Sequence, residues 1–155
     1  MLMTEKEVIN VLKEWVVSYV KHRDMITKNI VNIKEDQDKV IVKFKDKEKV
    51  FLIMPIVNDS VIEKINKDKN TGIIILNSKE NLDFLIKKWS KLIKFEKLTI
   101  FFINPFSEPE KKWFISPYVH NKICDENSLK LGLKTMFDTV ETITEKEIIK
   151  KIKNQ

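Results

Sequence analysis

Residues 113–127, WFISPYVHNKICDEN, hold the densest group of reactive side chains in the chain. They include His120, the sole cysteine Cys124, and the carboxylates of Asp125 and Glu126. If the segment is helical, His120 and Cys124 are four residues apart and share a face. That spacing suits two ligands of a zinc ion or a thiolate-imidazole pair, so it suggests either a metal site or a cysteine nucleophile.

The remaining residues argue against both chemistries. A structural zinc site typically needs four nitrogen or sulfur ligands, whereas this chain has one cysteine and two histidines, the second being His22. A cysteine nucleophile needs an oxyanion-binding turn, and no turn of small residues surrounds Cys124. Asp125 instead fits the N-cap of a following helix, with Ile123 and Cys124 partly buried beside it. We therefore predict no catalytic and no metal-ligating residues in this segment.

A second set of carboxylates lies near predicted strands. Asp46 and Glu48 stand in the turn KDKEK, Asp59 follows a strand predicted to be central and parallel, and Glu110 precedes Lys112 by two residues. A helix, an antiparallel meander and a helix-strand crossover resemble the element order of restriction-endonuclease-like folds. In that family a carboxylate at one strand end and a Glu-x-Lys on the next strand hold magnesium and activate water. The resemblance implies a magnesium-dependent nuclease whose site is drawn from these five residues.

The chain departs from the family's pattern in its third strand, EKVFLIMP, which lacks the Glu-x-Lys. Glu110 and Lys112 form the only Glu-x-Lys motif near a later strand. A three-residue match of this kind arises by chance in a chain with 23 acidic and 29 basic residues. Glycine-rich phosphate loops are missing as well, because Gly72 stands alone before a strand and Gly132 lies in a helical stretch. A nuclease-like protein with a degenerate site therefore stays the alternative, and no cofactor is predicted outside it.

The net charge of +6 raises the question of a nucleic-acid partner. Arg23 is the only arginine, although arginine is the residue that pairs bidentately with guanine and phosphate. A row of lysines would make the contact under the nucleic-acid alternative: Lys87, Lys88, Lys91 and Lys94. Because aromatic residues are not interleaved with them for base stacking, the row is typical of a solvated helix face.

Hydrophobic periodicity predicts a single α/β domain over residues 1–155, with a frayed tail at 150–155. Its sheet is expected to be mixed, with an antiparallel three-strand meander followed by parallel β-α-β crossovers. Three capping boxes, Thr4 to Glu7, Ser60 to Glu63 and Thr144 to Glu147, are expected to begin helices. The predicted helices cover 5–22, a short stretch from 60, 79–95, 127–137 and 145–153, and the predicted strands cover 29–34, 39–45, 49–57, 73–76, 98–103 and 111–116.

The longest apolar stretches are too short to cross a bilayer, residues 1–8 lack the pattern of a signal peptide, and one cysteine agrees with a reducing compartment. We therefore expect a cytoplasmic protein without membrane contact. The leading hypothesis is a small non-enzymatic protein that binds a protein partner or a second copy of itself. Phe106 and Trp113 are the candidate contacts, since they flank a loop framed by Pro105, Pro109 and Pro117, although Trp113 fits the core equally well.

Overall fold

The centre of the computed structural model, which describes residues 3–108 and 110–154, is a six-stranded mixed sheet. Its strands lie side by side in chain order: β1 (Ile30–Glu35), β2 (Lys39–Phe44), β3 (Glu48–Ile53), β4 (Asn70–Leu76), β5 (Leu98–Ile103) and β6 (Lys112–Ile115). The first three form an antiparallel meander, β3, β4 and β5 are parallel, and β6 is antiparallel to β5. The predicted α/β domain with a mixed sheet is confirmed, whereas the restriction-endonuclease-like layout is not.

Helices cover both faces of the sheet: α1 (Met3–Asp24), α2 (Ser60–Lys64), α3 (Lys79–Lys87), α4 (Trp89–Leu92), α5 (Pro117–Ile123), α6 (Glu126–Phe137) and α7 (Glu145–Lys153). The side that α1 and α7 cover is called the α1 face, and the opposite side is called the α3 face. Side chains of a strand alternate between faces, so Ile74 and Leu76 of β4 join the core of the α1 face while Ile73 and Ile75 join the other core. A central strand buried on both faces explains the uninterrupted run IIIL.

Two strand boundaries differ from the predictions by more than one residue. The strand predicted over 49–57 ends at Ile53, because Pro55 has no N–H to donate to the ladder. The strand predicted over 73–76 begins earlier, at Asn70, and brings Gly72 opposite Phe51 of β3.

Two helix predictions are wrong. The expected capping box at Ser60 does not form, because the Ser60 hydroxyl and N–H bond to Asn58 Oδ1 at 2.5 and 2.9 Å and the N-cap residue, Asp59, makes no side-chain capping bond. The helix predicted over 79–95 is interrupted at Lys88, whose φ of −100° and ψ of 11° lie outside the helical region.

The other helix caps follow the sequence more closely. Asp125 accepts the N–H of Ser128 at 2.8 Å, so it caps α6 as predicted. Thr144 accepts the N–H of Glu147 at 3.2 Å and caps α7, which is helical as far as Lys153. Fraying of residues 150–155 stays a prediction, and Gln155 itself lies outside the described residues.

Candidate functional site

The carboxylates predicted for the nuclease alternative do not converge, and each contacts a lysine or an asparagine instead of another carboxylate. Glu48 Oε1 is 3.8 Å from Lys69 Nζ, and Glu110 Oε1 is 3.5 Å from Lys112 Nζ, the other half of the predicted Glu-x-Lys. Asp46 Oδ1 accepts a 3.4 Å hydrogen bond from the amide of Asn29.

Asp59 contacts the lysine row instead of other acids. Its Oδ1 lies 2.9 Å from Lys88 Nζ, and that hydrogen bond is the main reason that the pKa of the Asp59 carboxyl is lowered. Within residues 3–108 and 110–154, no three side chains of His, Cys, Asp or Glu are grouped closely enough to hold a metal ion. The structure therefore does not assemble the magnesium site that the resemblance implies.

The cluster around His120 is a packing arrangement. The segment is helical as α5, and Cys124 is its C-cap, with its N–H bonded to the carbonyl of His120 at 3.0 Å. The imidazole of His120 meets the indole of Trp89 edge to face, at 5.8 Å between ring centroids. Its Nε2 is buried without a hydrogen-bond partner among the described residues. Cys124 is half-buried as expected, but Ile123 is 79% exposed, so its predicted packing is wrong.

The predicted aromatic contact surface is mostly interior. Trp113 is only 5% exposed and stacks on Phe102 at 4.1 Å between ring centroids, so it belongs to the core and the exposed alternative is wrong. Phe106 is half-buried, with Lys151 Nζ 5.4 Å from the centre of its ring. Of the prolines that frame this loop, Pro117 is buried and Pro109 lies outside the described residues.

The lysine row does not form one uniform basic surface. Lys87, Lys91 and Lys94 are exposed, which agrees with a solvated helix face. Lys88 is paired with the Asp59 carboxylate and stands at the break between α3 and α4. The row thus offers three exposed cations that lie at the end of α3, in α4 and in the turn after α4.

The carboxyl ends of β4 and β5, where open α/β sheets usually bind ligands, are closed by buried asparagines. Asn81 is fully buried in the first turn of α3, and its amide donates to the carbonyls of Pro55 and Leu76 at 2.8 Å each. Its Oδ1 accepts the N–H of Val57 at 2.9 Å. Asn81 therefore joins the loop after β3 to the end of β4.

Two more asparagines complete this arrangement, and Asn77, Asn81 and Asn104 are together called the asparagine layer. Asn77 donates to the carbonyls of Phe137 and Val140 at 3.2 and 2.8 Å, and its Oδ1 accepts the indole N–H of Trp113 at 2.7 Å. Asn104 donates to the carbonyl of Glu141 at 3.0 Å. Because all three amides bond to the chain itself, this end of the sheet is held by structure and presents no free polar side chain of the layer to a ligand.

The amino ends of β3 and β5 carry a different feature, a cavity of about 410 Å³ on the α1 face. We call it the basic aromatic pocket. The last turns of α1 and the following loop form one wall, which consists of Tyr19, Val20, Arg23, Asp24, Thr27 and Asn29. The sheet supplies the remaining lining residues, which are Phe44, Lys47, Lys49, Phe51, Thr99, Phe101 and Phe114.

Aromatic rings form the floor of the pocket, and Phe101 lies at their centre. Its ring centroid is 5.4 Å from that of Phe114, 5.6 Å from that of Tyr19 and 6.0 Å from that of Phe51. Gly72 makes this floor possible, because a Cβ at that position would lie 2.7 Å from Cδ1 of Phe51. The glycine lets the Phe51 ring lie across β4.

Three cations surround the aromatic floor. Lys49 Nζ lies over the rings of Phe51 and Phe101, 5.1 and 5.6 Å from their centroids. The guanidinium carbon of Arg23 is 5.6 Å from the centre of the Tyr19 ring, and Lys47 Nζ is 5.6 Å from that of Phe44. The ion pairs found among the described residues all use other lysines, so these three cations have no carboxylate partner there.

Lys49 differs from the other two cations in its burial. It is half-buried, whereas Arg23 and Lys47 are exposed. Burial lowers the pKa of the Lys49 ammonium, and the neighbouring charges of Lys47 and Arg23 lower it further. An anion placed beside Lys49 would favour the charged ammonium and so oppose this lowering of the pKa.

Asp24, the one carboxylate that lines the pocket, is fully engaged. Its Oδ1 accepts the N–H of Asn29 at 2.7 Å and the hydroxyl of Thr27 at 3.1 Å, and its Oδ2 accepts the N–H of Ile30 at 3.0 Å. Burial alone would raise the pKa of Asp24, but these hydrogen bonds outweigh it and the pKa is lowered. Asp24 therefore fastens the connection from α1 to β1 and leaves the cations uncompensated.

A second cavity, of about 390 Å³, lies beside Val50 and Leu52 on the α3 face. Two of its three lysines are paired, whereas Lys39 has no ion-pair partner among the described residues. Lys64 Nζ lies 3.8 Å from Asp38, and Lys69, which also lines this cavity, is bridged to Glu48. Both cavities are lined by three cations and one carboxylate, so they differ in ion pairing and in the aromatic residues that line the basic aromatic pocket.

Sequence reasoning singled out none of the residues of the pocket as a binding site. One local signal existed, since Lys49 is two residues before Phe51 on the same strand, which places a charged side chain on the face that the apolar residues bury.

A scan against protein-family models finds no match, and searches of the curated proteins and of the solved structures find no match either. No helix in the described part of the chain has both the length and the apolar character to cross a membrane.

Proposed function

We propose that this chain is a non-enzymatic binding protein and that its basic aromatic pocket holds an anionic group of the ligand. The observation that carries the proposal is the presence of three cations around one cavity without a carboxylate partner among the described residues. Half-burial removes part of the hydration of the Lys49 ammonium, and an anion beside it would compensate that loss.

Binding fits this pocket better than catalysis does. No histidine, cysteine or serine lines it, and its sole carboxylate, Asp24, already accepts three hydrogen bonds. A general base needs an oxygen or nitrogen free to take a proton, and Asp24 has a lowered pKa that disfavours this role. The pocket therefore supplies charge and apolar surface for recognition.

The proposal is tested by amide chemical shifts in a ¹⁵N-labelled protein titrated with acetate, benzoate and inorganic phosphate at constant ionic strength. At least one of these anions should give saturable shifts concentrated at Arg23, Lys47 and Lys49. Lys49→Met should abolish them, while Lys130→Met, which removes an exposed lysine of α6, should leave them unchanged. Shifts that spread evenly over the lysines, or that survive Lys49→Met, would contradict the proposal.

Self-association is a second candidate function, favoured by an exposed apolar pair on α5. Val119 and Ile123 are one helical turn apart and are 52% and 79% exposed. A second copy of the chain would cover this pair. Sedimentation velocity over a range of concentrations should then show a dimer that Ile123→Glu dissociates and Lys150→Glu, an exposed control on α7, does not. A monomer at all concentrations would rule this candidate out.

A further inference from the structure

We infer that the ligand of the basic aromatic pocket is a small aromatic carboxylate, bound with its carboxylate toward Lys49 and its ring toward the pocket mouth. The inference rests on the proposed function, because it specifies the chemistry and the orientation of the anion at the same site.

The size of the cavity favours a small molecule. Its volume of about 410 Å³ lies in the range of small-molecule clefts, roughly 300–1,000 Å³. The cavity is also bounded on two sides, by the end of α1 and by the sheet, so a ligand can be contacted on more than one face.

The lining favours an aromatic ring. Five of the thirteen lining residues are aromatic, and three of them keep ring surface accessible: Phe114 is 45% exposed, and Tyr19 and Phe44 are half-buried. Aromatic rings attract one another in stacked or edge-to-face arrangements beyond the gain from burial alone. A saturated ring of the same size lacks this additional attraction.

The position of Lys49 fixes the orientation. Its ammonium lies over the buried rings of Phe51 and Phe101, so it sits on the floor, whereas Arg23 and Lys47 are exposed at the rim. Water already solvates the rim cations, and an anion gains little by replacing it. At the floor a carboxylate compensates an ammonium that is partly removed from water, which directs the charged end inward.

This orientation couples binding to protonation. The pKa of Lys49 is lowered in the free protein by burial and by Lys47 and Arg23, and a bound carboxylate raises it. The complex therefore holds its proton to higher pH than the free protein does. Above the pH at which the carboxyl of the ligand ionises, affinity should be constant until the pH approaches the pKa of free Lys49, and it should fall as the pH rises through that pKa.

The test is isothermal titration calorimetry with three monoanions of equal charge: benzoate, cyclohexanecarboxylate and acetate. Benzoate should bind about 2- to 12-fold more tightly than cyclohexanecarboxylate, which corresponds to about 0.5–1.5 kcal/mol for an aromatic contact. Acetate, which lacks a ring, should bind at least about tenfold more weakly than benzoate because it buries much less apolar surface.

Variants test the orientation. Lys49→Met should weaken benzoate binding at least about tenfold, whereas Lys49→Arg should retain binding and lose its decline at alkaline pH, since arginine stays charged. Lys130→Met serves as the matched control and should change neither property. Circular dichroism confirms that each variant is folded.

The outcomes separate the inference from the proposed function. If acetate and cyclohexanecarboxylate bind as tightly as benzoate and Lys49→Met abolishes binding of all three, the aromatic inference is overturned and the anion site stands. If Lys49→Met binds benzoate like the native protein, both the inward orientation and the anion site of the proposed function are overturned. If neither these carboxylates nor inorganic phosphate bind, the proposed function fails together with the inference.

Discussion

The two ends of the parallel strands β3, β4 and β5 use their polar side chains in opposite ways. At the carboxyl end, the asparagine layer is buried and its amides bond to backbone groups of the chain. At the amino end, Arg23, Lys47 and Lys49 surround a cavity without a carboxylate partner in the described part of the chain. The difference shows which polar groups stabilise the fold and which remain available for a ligand.

The comparison also shows that the size of a cavity does not identify a binding site by itself. The cavity on the α3 face is nearly as large as the basic aromatic pocket, about 390 against 410 Å³. Two of its three lysines are paired with Asp38 and Glu48, and none of its lining residues is aromatic. Uncompensated charge over an aromatic floor distinguishes the basic aromatic pocket.

The largest expected effect comes from the carboxyl end. Asn81→Leu removes hydrogen bonds to Val57, Pro55 and Leu76. The carbonyls of Pro55 and Leu76 still accept the N–H groups of Leu76 and Ser78, so the Val57 N–H is the group that loses its partner. An unsatisfied buried group costs about 1–3 kcal/mol and each of the other two lost hydrogen bonds about 0.5–1.5 kcal/mol, so we expect a loss of at least about 2 kcal/mol in the free energy of unfolding. Urea denaturation measures it, with Asn10→Ala on the exposed side of α1 as a control. A loss below about 1 kcal/mol would mean that the layer does not hold this end of the sheet.

Gly72→Ala should have the next largest effect, at the amino end. The added methyl would lie 2.7 Å from Cδ1 of Phe51, which forces that ring out of its position. Overpacking of this kind typically costs about 1–3 kcal/mol in the free energy of unfolding. The displaced ring should also weaken benzoate binding, because Phe51 and Lys49 are in contact.

The matched control is Gly132→Ala in α6. A Cβ at Gly132 meets no atom within 4 Å, so the change should stabilise the helix by up to about 1 kcal/mol without affecting the pocket. If both alanine variants gave the same stability and the same benzoate affinity, the special role of Gly72 would be refuted.

Lys49→Met should stabilise the free protein slightly at neutral pH, by about 0.5 kcal/mol, as is usual for changes outside a core. Since the folded state lowers the pKa of Lys49, the unfolded chain holds the proton more tightly and the native protein gains stability as pH rises toward the ordinary lysine pKa. The advantage of the variant should therefore shrink between neutral and strongly alkaline pH. An advantage that grows with pH would have the wrong sign for a desolvated ammonium.

The smallest effect is expected at Glu145 in the first turn of α7. Burial raises the pKa of its carboxyl, and the charges of Glu5 and Glu80 raise it further. The ionised form is therefore unfavourable in the folded state, and Glu145→Gln should raise the melting temperature by a degree or so, about the effect of a few tenths of a kcal/mol. The gain should be present at neutral pH and vanish below about pH 4, where both states are protonated. A gain that persists at pH 3 would show that charge is not its cause.

Much of the fold could be predicted because it depends on local patterns. The spacing of apolar residues in α1 and the alternation in β2 each report on one element. The prediction of a capping box at Ser60 was wrong because the Ser60 hydroxyl bonds to the side chain of Asn58, two residues earlier, instead. The break at Lys88 has no signal such as glycine or proline in the sequence.

The sites were harder to predict because they depend on distant parts of the chain. Asn77 bonds to Phe137 and Val140, 60 and 63 residues away, so its role cannot be read from its neighbours. The pocket likewise forms only when the end of α1 meets strands β2, β3, β5 and β6. The local pairing of Lys49 with Phe51 indicates a lysine on a buried face, but the absence of carboxylates around it among the described residues becomes visible only in the fold.

The central claim is that Lys49 has no carboxylate partner among the described residues and binds the anionic group of a ligand. NMR of its ammonium group tests this claim most directly. The pH titration of the Lys49 side chain is followed with and without saturating benzoate, with Lys49→Arg used to assign the signal. We predict a pKa below the ordinary lysine value in the free protein, raised when benzoate is bound. An ordinary pKa that benzoate leaves unchanged would contradict the account.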